Sequence, residues 1–174
     1  MASRNILKTL TVEHNELRQL FAQMEKTTDR AQKARKDLLG KIEQGLLPHA
    51  KWEETVFYPA FKARADRDGL KTHAEALCEH AAVEETAIPS VKAAEITTPQ
   101  FAGRVKVFGE LIDHHATEEE KTMFKMAKKM FNADELAAFD EQYESWKKSP
   151  VGLKAVADAK AESERLAESR PAKD

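Results

Sequence analysis

The sequence predicts an all-α protein, an up-down-up-down four-helix bundle with a short C-terminal helix and tail. Apolar residues recur at spacings of three and four along four long stretches, the signature of helices that each bury one face. The composition is 41% hydrophobic and 33% charged with only 6 Gly and 6 Pro, too few turn formers for many strands. The breaks between stretches are short, which places successive helices antiparallel. At 174 residues the chain suits one domain with a sizeable core. The expected division is a bundle over 1–131, an amphipathic helix over 132–149 and a charged, partly helical or mobile tail over 150–174.

The first helix is expected from about Arg4 to Lys26, with Leu7, Leu10, Leu17, Phe21 and Met24 on one face and His14 filling its one gap. After Thr27-Thr28-Asp29 the second runs to about Arg64 along Leu38, Ile42, Leu46, His49, Glu53, Val56 and Ala60. Pro48 either kinks this segment or ends one helix and starts another, because proline lacks a backbone donor and clashes one turn back. Pro59 should bend or terminate its end.

A polar connection at Arg64 to Gly69 precedes a third helix from about Leu70 to Ala93, with Leu70, His73, Leu77, His80, Glu84, Ala87 and Val91 inward. Pro89 should distort its last turns. Cys78 is expected to fill a gap as a small hydrophobe. Thr98-Pro99 is a capped helix start, and the fourth helix continues to about Phe131 through Phe101, Val105, Phe108, Ile112, His115, Glu119, Met123 or Thr122, and Met126. Asn132 caps a short helix carrying Leu136, Phe139, Tyr143 and Trp146.

Each long helix thus carries a histidine in its apolar stripe, and three of the four have a glutamate one turn on: His49-Glu53, His80-Glu84 and His115-Glu119. Residues i and i+4 share a helix face. Several unpaired glutamates in core register would each cost several kcal/mol, on the order expected for buried charge, and a bound cation removes that cost. His115 is chosen over the adjacent His114 because its context, His-x-x-x-Glu-Glu followed by an aromatic, matches that of His49. Four imidazoles and up to three carboxylates exceed one tetrahedral zinc and suit two ions sharing bridging carboxylates. Iron is the expected metal, with zinc or manganese as alternatives. Neither the His-Glu-x-x-His of zinc proteases nor the Glu-x-x-His of ferritin-like bundles is present.

The run of His14, His49-x-x-x-Glu53-Glu54, His80-x-x-x-Glu84 and His115-x-x-x-Glu119-Glu120 resembles the hemerythrin-like family, the HHE cation-binding domain, over about residues 5 to 131. The resemblance implies a four-helix bundle holding two iron ions as an oxo- or hydroxo-bridged non-haem centre. In that picture Glu53 and Glu119 bridge, and His14, His49, His80 and His115 are terminal ligands. Two positions depart from the oxygen-carrying hemerythrins. Glu84 stands where a second histidine of the third helix would be, a further candidate ligand, and the carboxylate of the fourth helix is Glu119, one residue closer to its histidine. A more carboxylate-rich centre favours ferric iron over reversible oxygen carriage.

The expected function is a di-iron protein that senses or handles oxygen, peroxide, nitric oxide or iron. A peroxide-handling or oxidase enzyme at the same centre is the alternative, with His73, His114, Tyr58 and Tyr143 as candidate proton donors. A helical interaction module, with a protein partner on the tail, is the second alternative. The net charge of −2 favours neither nucleic acid nor an anionic membrane. The single cysteine excludes an internal disulfide, and with no signal-like N-terminus the expected setting is cytoplasmic.

Overall fold

The computed structural model describes residues 4–170. These are helical, with no strand among them. The helices are α1 (Ile6–Glu25), α2 (Gln32–Trp52), α3 (Tyr58–Arg64), α4 (Arg67–Ala82), α5 (Ile88–Lys92), α6 (Pro99–Glu118), α7 (Phe124–Met130), α8 (Ala133–Trp146) and α9 (Pro150–Glu168). Three π turns, Glu53–Phe57, Val83–Ala87 and Glu119–Met123, join α2 to α3, α4 to α5 and α6 to α7 without interrupting the helical path. Side chains that accept from first-turn amides fix most starts: Asn5 for α1, Asp66 for α4, Thr98 for α6 and Ser149 for α9, with an Asn132–Glu135 capping box for α8. No described helix is long and apolar enough to cross a membrane.

Buried apolar residues form two clusters, one at each end of the long helices. Leu17, Phe21, Ile42, Leu46, Ile88, Phe101 and Phe108 anchor one. Leu10, Trp52, Phe57, Phe61, Phe124 and Leu136 anchor the other. Between them lie His14, His49, Glu53, His80, His115 and Glu119, all buried. Arg35, also buried, closes the first end by donating to Thr27, Asp29 and the Ile96 carbonyl, and it stacks on the Phe101 ring.

The π turns correct the expected inner faces. A π turn accommodates one extra residue, so the stripes drawn at α-helical spacing slip by one beyond Glu53 and Glu119, while Ala87 and Val91 of the third stripe are buried as expected. After Glu53 the buried residues are Phe57, Tyr58 and Phe61 rather than Val56 and Ala60. After Glu119 they are Met123, Phe124 and Ala127 rather than Met126. Proline explains two of the turns: Pro59 and Pro89 enter the α-helix just beyond them, and the widened turn tolerates the missing donor and the ring. The third has no proline. Pro48, expected either to kink the segment or to end one helix and start another, lies within α2, so one helix runs through it. On α4 the buried stripe is His73, Ala76 and His80, while Leu70 and Leu77 are exposed. Cys78, also expected inside, is exposed, because it lies about 200° round the helix from His80.

α8 packs against α1, and α9 lies against α2 and α5, where Lys92 donates to Ser163 Oγ at 2.9 Å. The stretch read from sequence as tail is thus a helix over Pro150–Glu168; residues 171–174 of it, and 1–3, lie outside the described residues. The turn into α9 brings Gly152 so close to Trp146 that an added Cβ would stand 2.1 Å from the Trp146 carbonyl oxygen. Gly152→Ala is expected to lower unfolding free energy by about 2 kcal/mol, the scale of overpacking. Thermal unfolding reads this, and metal content is expected not to change.

Candidate metal centre

The four inner histidines meet in two pairs. His14 Nε2 lies 3.1 Å from His49 Nε2, and His80 Nε2 lies 3.0 Å from His115 Nε2. Glu53 spans both pairs, with Oε1 at 3.2 Å from His49 Nε2 and Oε2 at 3.5 Å from His80 Nε2. Glu119 Oε2 also lies between them, 3.3 Å from His14 Nε2 and 3.6 Å from His115 Nε2. Its other oxygen accepts from the Tyr58 hydroxyl at 2.7 Å. That hydroxyl is also 3.1 Å from His80 Nε2 and 3.4 Å from Glu53 Oε2. Two groups could hold an ion: His14, His49, Glu53 and Glu119, and Glu53, His80 and His115.

Around this lies a second layer that the sequence reading did not assign. Taking α1, α2 with α3, α4 with α5, and α6 with α7 as four rods, each histidine turns its Nδ1 to a glutamate on another rod: His14 to Glu120 at 2.9 Å, His49 to Glu13 at 2.8 Å, His80 to Glu54 at 2.8 Å and His115 to Glu79 at 2.7 Å. The four contacts close a ring in which each rod's acid fastens the histidine of the next. The acids are held in turn. Arg18 bonds Glu120 and Lys51 bonds Glu54, while Tyr143 and Lys147 reach Glu13 and His114 lies 3.2 Å from Glu79. The arrangement is twofold in sequence: Glu13, His14, His49, Glu53 and Glu54 recur 66 residues later as Glu79, His80, His115, Glu119 and Glu120.

These contacts dictate the chemistry. A carboxylate only accepts, so each Nδ1 carries the hydrogen and each neutral imidazole turns a lone pair inward from Nε2. Two facing lone pairs at 3.0–3.1 Å repel unless a cation or proton lies between them. Burial disfavours charge on His49 and His115, yet the carboxylates of Glu53 and Glu119, with Glu13 and Glu79 behind, outweigh it and raise both pKa values. Burial likewise pushes Glu119 up, but His115 and His14 hold it far below the ordinary carboxylate value. Among the buried carboxylate oxygens with no hydrogen-bond partner in the described residues are Glu53 Oε1, Glu119 Oε2 and Glu84 Oε1. Converging nitrogen lone pairs, orphaned carboxylate oxygens and acids fixing each outer nitrogen fit a pair of borderline-to-hard metal ions.

Of the residues expected to form the site, His14, His49, Glu53, His80, His115 and Glu119 are brought together. Glu84 belongs to neither group of possible ligands but lines the same cavity as the four histidines: Lys51 Nζ holds its Oε2 at 2.6 Å, and its buried Oε1 has no hydrogen-bond partner among the described residues. In the 66-residue recurrence Glu84 takes the place of Arg18, whose guanidinium bonds the outer acid Glu120. Burial, with Glu54 nearby and against the pull of Lys51, raises the pKa of Glu84. The adjacent histidines divide as the register requires, His115 buried and His114 64% exposed. His73 is buried beyond the centre with its ring edge on Tyr58. Tyr58 has Phe124 as its counterpart 66 residues on, stacked on His14, so at this place the two halves differ by one hydroxyl. The sequence signal for the second layer was present in the Glu-His pairs 13–14 and 79–80 and in the second glutamate of each Glu-Glu pair.

Tyr143 belongs to α8, yet its hydroxyl reaches Glu13 at 2.8 Å and through it His49. Tyr143→Phe is therefore expected to weaken metal affinity at least tenfold, the low end for loss of such an outer contact. Competition with a chelator measures it, and an unchanged affinity would refute the link.

A family model described as the hemerythrin HHE cation binding domain matches residues 5–127. A protein of Nostoc sp. (strain PCC 7120 / SAG 25.82 / UTEX 2576) named DNA nickase is 26% identical over 145 residues. That alignment covers 82% of this chain but only 37% of the relative. No solved structure matches the chain.

Proposed function

The chain belongs to the hemerythrin HHE cation-binding family, and from that premise we propose a non-haem di-iron protein, built as a four-helix bundle, that senses or handles oxygen, peroxide, nitric oxide or iron. The observation that carries this reading is Glu53, which offers one oxygen to each histidine pair. His14 and His49 would hold one ion and His80 and His115 the other, with Glu53 and Glu119 shared. When bound, the metal pair supplies redox chemistry and an open coordination position for a small ligand.

The remaining roles fall to the chain itself. Leu17, Leu46, Leu47, Val83 and Ile112 wall the centre on one side with apolar surface and limit water, with the Glu84 carboxylate among them. Tyr58 stands on the other. Burial and the neighbouring Glu119 and Glu53 charges lift its pKa well above the ordinary phenol value, so the proton stays on its oxygen and is shared with Glu119.

That hydroxyl favours the peroxide-handling enzyme as the second reading. If it holds, iron-loaded protein turns over peroxide faster than free iron, and Tyr58→Phe is expected to lower the rate by about a hundredfold, the lower range for a positioned proton donor. Turnover no greater than that of free iron would leave the first reading, a non-enzymatic protein that senses or handles these species. The activity named for the Nostoc relative is tested with supercoiled plasmid. We expect no nicking, because a net charge of −2 offers no basic footprint for a phosphate backbone.

A further inference from the structure

The four seams between neighbouring rods are not equivalent for a cation approaching from solvent. At each, one outer acid separates the centre from the surface. Beside Glu120 stands the Arg18 guanidinium at 2.9 Å, beside Glu54 the Lys51 ammonium at 2.7 Å, and beside Glu13 the Lys147 ammonium at 3.5 Å together with Tyr143. At the fourth seam, between α4 and α6, the group beside Glu79 is the exposed imidazole of His114. Three seams thus meet an incoming cation with a guanidinium or an ammonium, and one does not.

The fourth seam is also open. A cleft there is lined by Glu75, Glu79, His114, Glu118, Thr122 and, at its foot, Glu119. Glu75 and Glu118 are exposed, and Lys71 pairs with Glu75 only on the outer surface, at 3.3 Å. Glu119 is buried, and its Oε2 lacks a hydrogen-bond partner. The cleft therefore runs from solvent-facing carboxylates down to an unsatisfied carboxylate of the centre. The groove beneath α9 also has acidic walls, Glu84, Glu85, Asp158 and Glu162, but Lys51 lies in it, bound to both Glu84 and Glu54.

The geometry points to the α4–α6 cleft as the loading route for the metal, with Glu75 and Glu118 as a transient divalent-cation site that passes ions to Glu79 and Glu119. This rests on the metal-binding reading above. Ions cross it without a change of oxidation state, shedding waters onto successive carboxylates. Acidic walls raise the local cation concentration and hence the rate of capture, an effect that salt screens.

The test mixes metal-free protein with ferrous iron under anaerobic conditions and follows tryptophan fluorescence by stopped flow, since Trp52 adjoins Glu53 in sequence. Glu75→Gln with Glu118→Gln is expected to slow uptake about tenfold and to flatten its salt dependence, while the final iron content stays that of the wild type. Glu118→Lys, which gives this seam the ammonium the others have, is expected to slow it further. Glu16→Gln with Glu110→Gln, two exposed carboxylates outside the cleft, is the control and is expected to match the wild type. Equal rates in all the proteins would overturn the route. Failure of the wild type to take up iron would instead overturn the metal reading on which it rests. Circular dichroism of each variant confirms that the exposed substitutions leave the fold intact.

Discussion

Replacing Glu53 with alanine is expected to abolish binding of both metal ions. No other single change should do more, because Glu53 is common to both candidate ligand groups and presents Oε1 to His49 and Oε2 to His80. Its loss leaves His14 and His49 with Glu119, and His80 and His115 with no carboxylate whose two oxygens divide between the pairs. His49→Ala, in contrast, removes a ligand of one group and is expected to leave the other ion bound. Glu84→Gln is expected to leave both, since neither candidate ligand group includes that side chain and Lys51 holds one of its oxygens. Metal analysis after gel filtration distinguishes the three. Full metal content in Glu53→Ala would refute the shared-carboxylate arrangement, and loss of metal in Glu84→Gln would return Glu84 to the ligand set.

Removing the metal is expected to lower thermal stability by about 10 °C. A ligand at a thousand times its Kd stabilises the folded state by about 4 kcal/mol, and in a domain of this size each kcal/mol is worth about 2–4 °C in Tm. The physical origin lies in the cluster between the two apolar cores. Without metal, Glu53 and Glu119 hold protons more firmly on His49 and His115, and the orphaned oxygens Glu53 Oε1 and Glu119 Oε2 stay unsatisfied. A bound pair of cations replaces those protons and satisfies the oxygens. Differential scanning calorimetry with and without a chelator reads the shift, and an unchanged Tm would mean that the cluster gains nothing from metal.

The inner centre was legible in the sequence because a histidine in an apolar stripe with a glutamate one turn on survives any small error in helix boundary. His14, His49, Glu53, His80, His115 and Glu119 all converge. The slips have one main cause. α-Helical periodicity cannot foresee a π turn, so the faces beyond Glu53 and Glu119 were drawn one residue short, and Phe57, Tyr58 and Phe61 were missed as a buried set. The same cause bears on Glu84. Its π turn begins at Val83, three residues after His80, whereas those of the other two rods begin on the glutamate itself, four residues after the histidine. The outer ring was not legible by periodicity, since each Glu–His contact joins different rods and its members sit beside the inner stripe. Only the 66-residue recurrence of the Glu-His and Glu-Glu pairs betrays it. Tyr143 could not be assigned to the centre because its place depends on how α8 packs against α1.

If four helical rods together hold two ions, an anomalous-scattering map from crystals of the iron-loaded protein will show two iron peaks flanked by Glu53 and Glu119, one beside His14 and His49 and the other beside His80 and His115. A single peak, a peak at Glu84 and Lys51, or a folded protein that takes up no iron would contradict that arrangement.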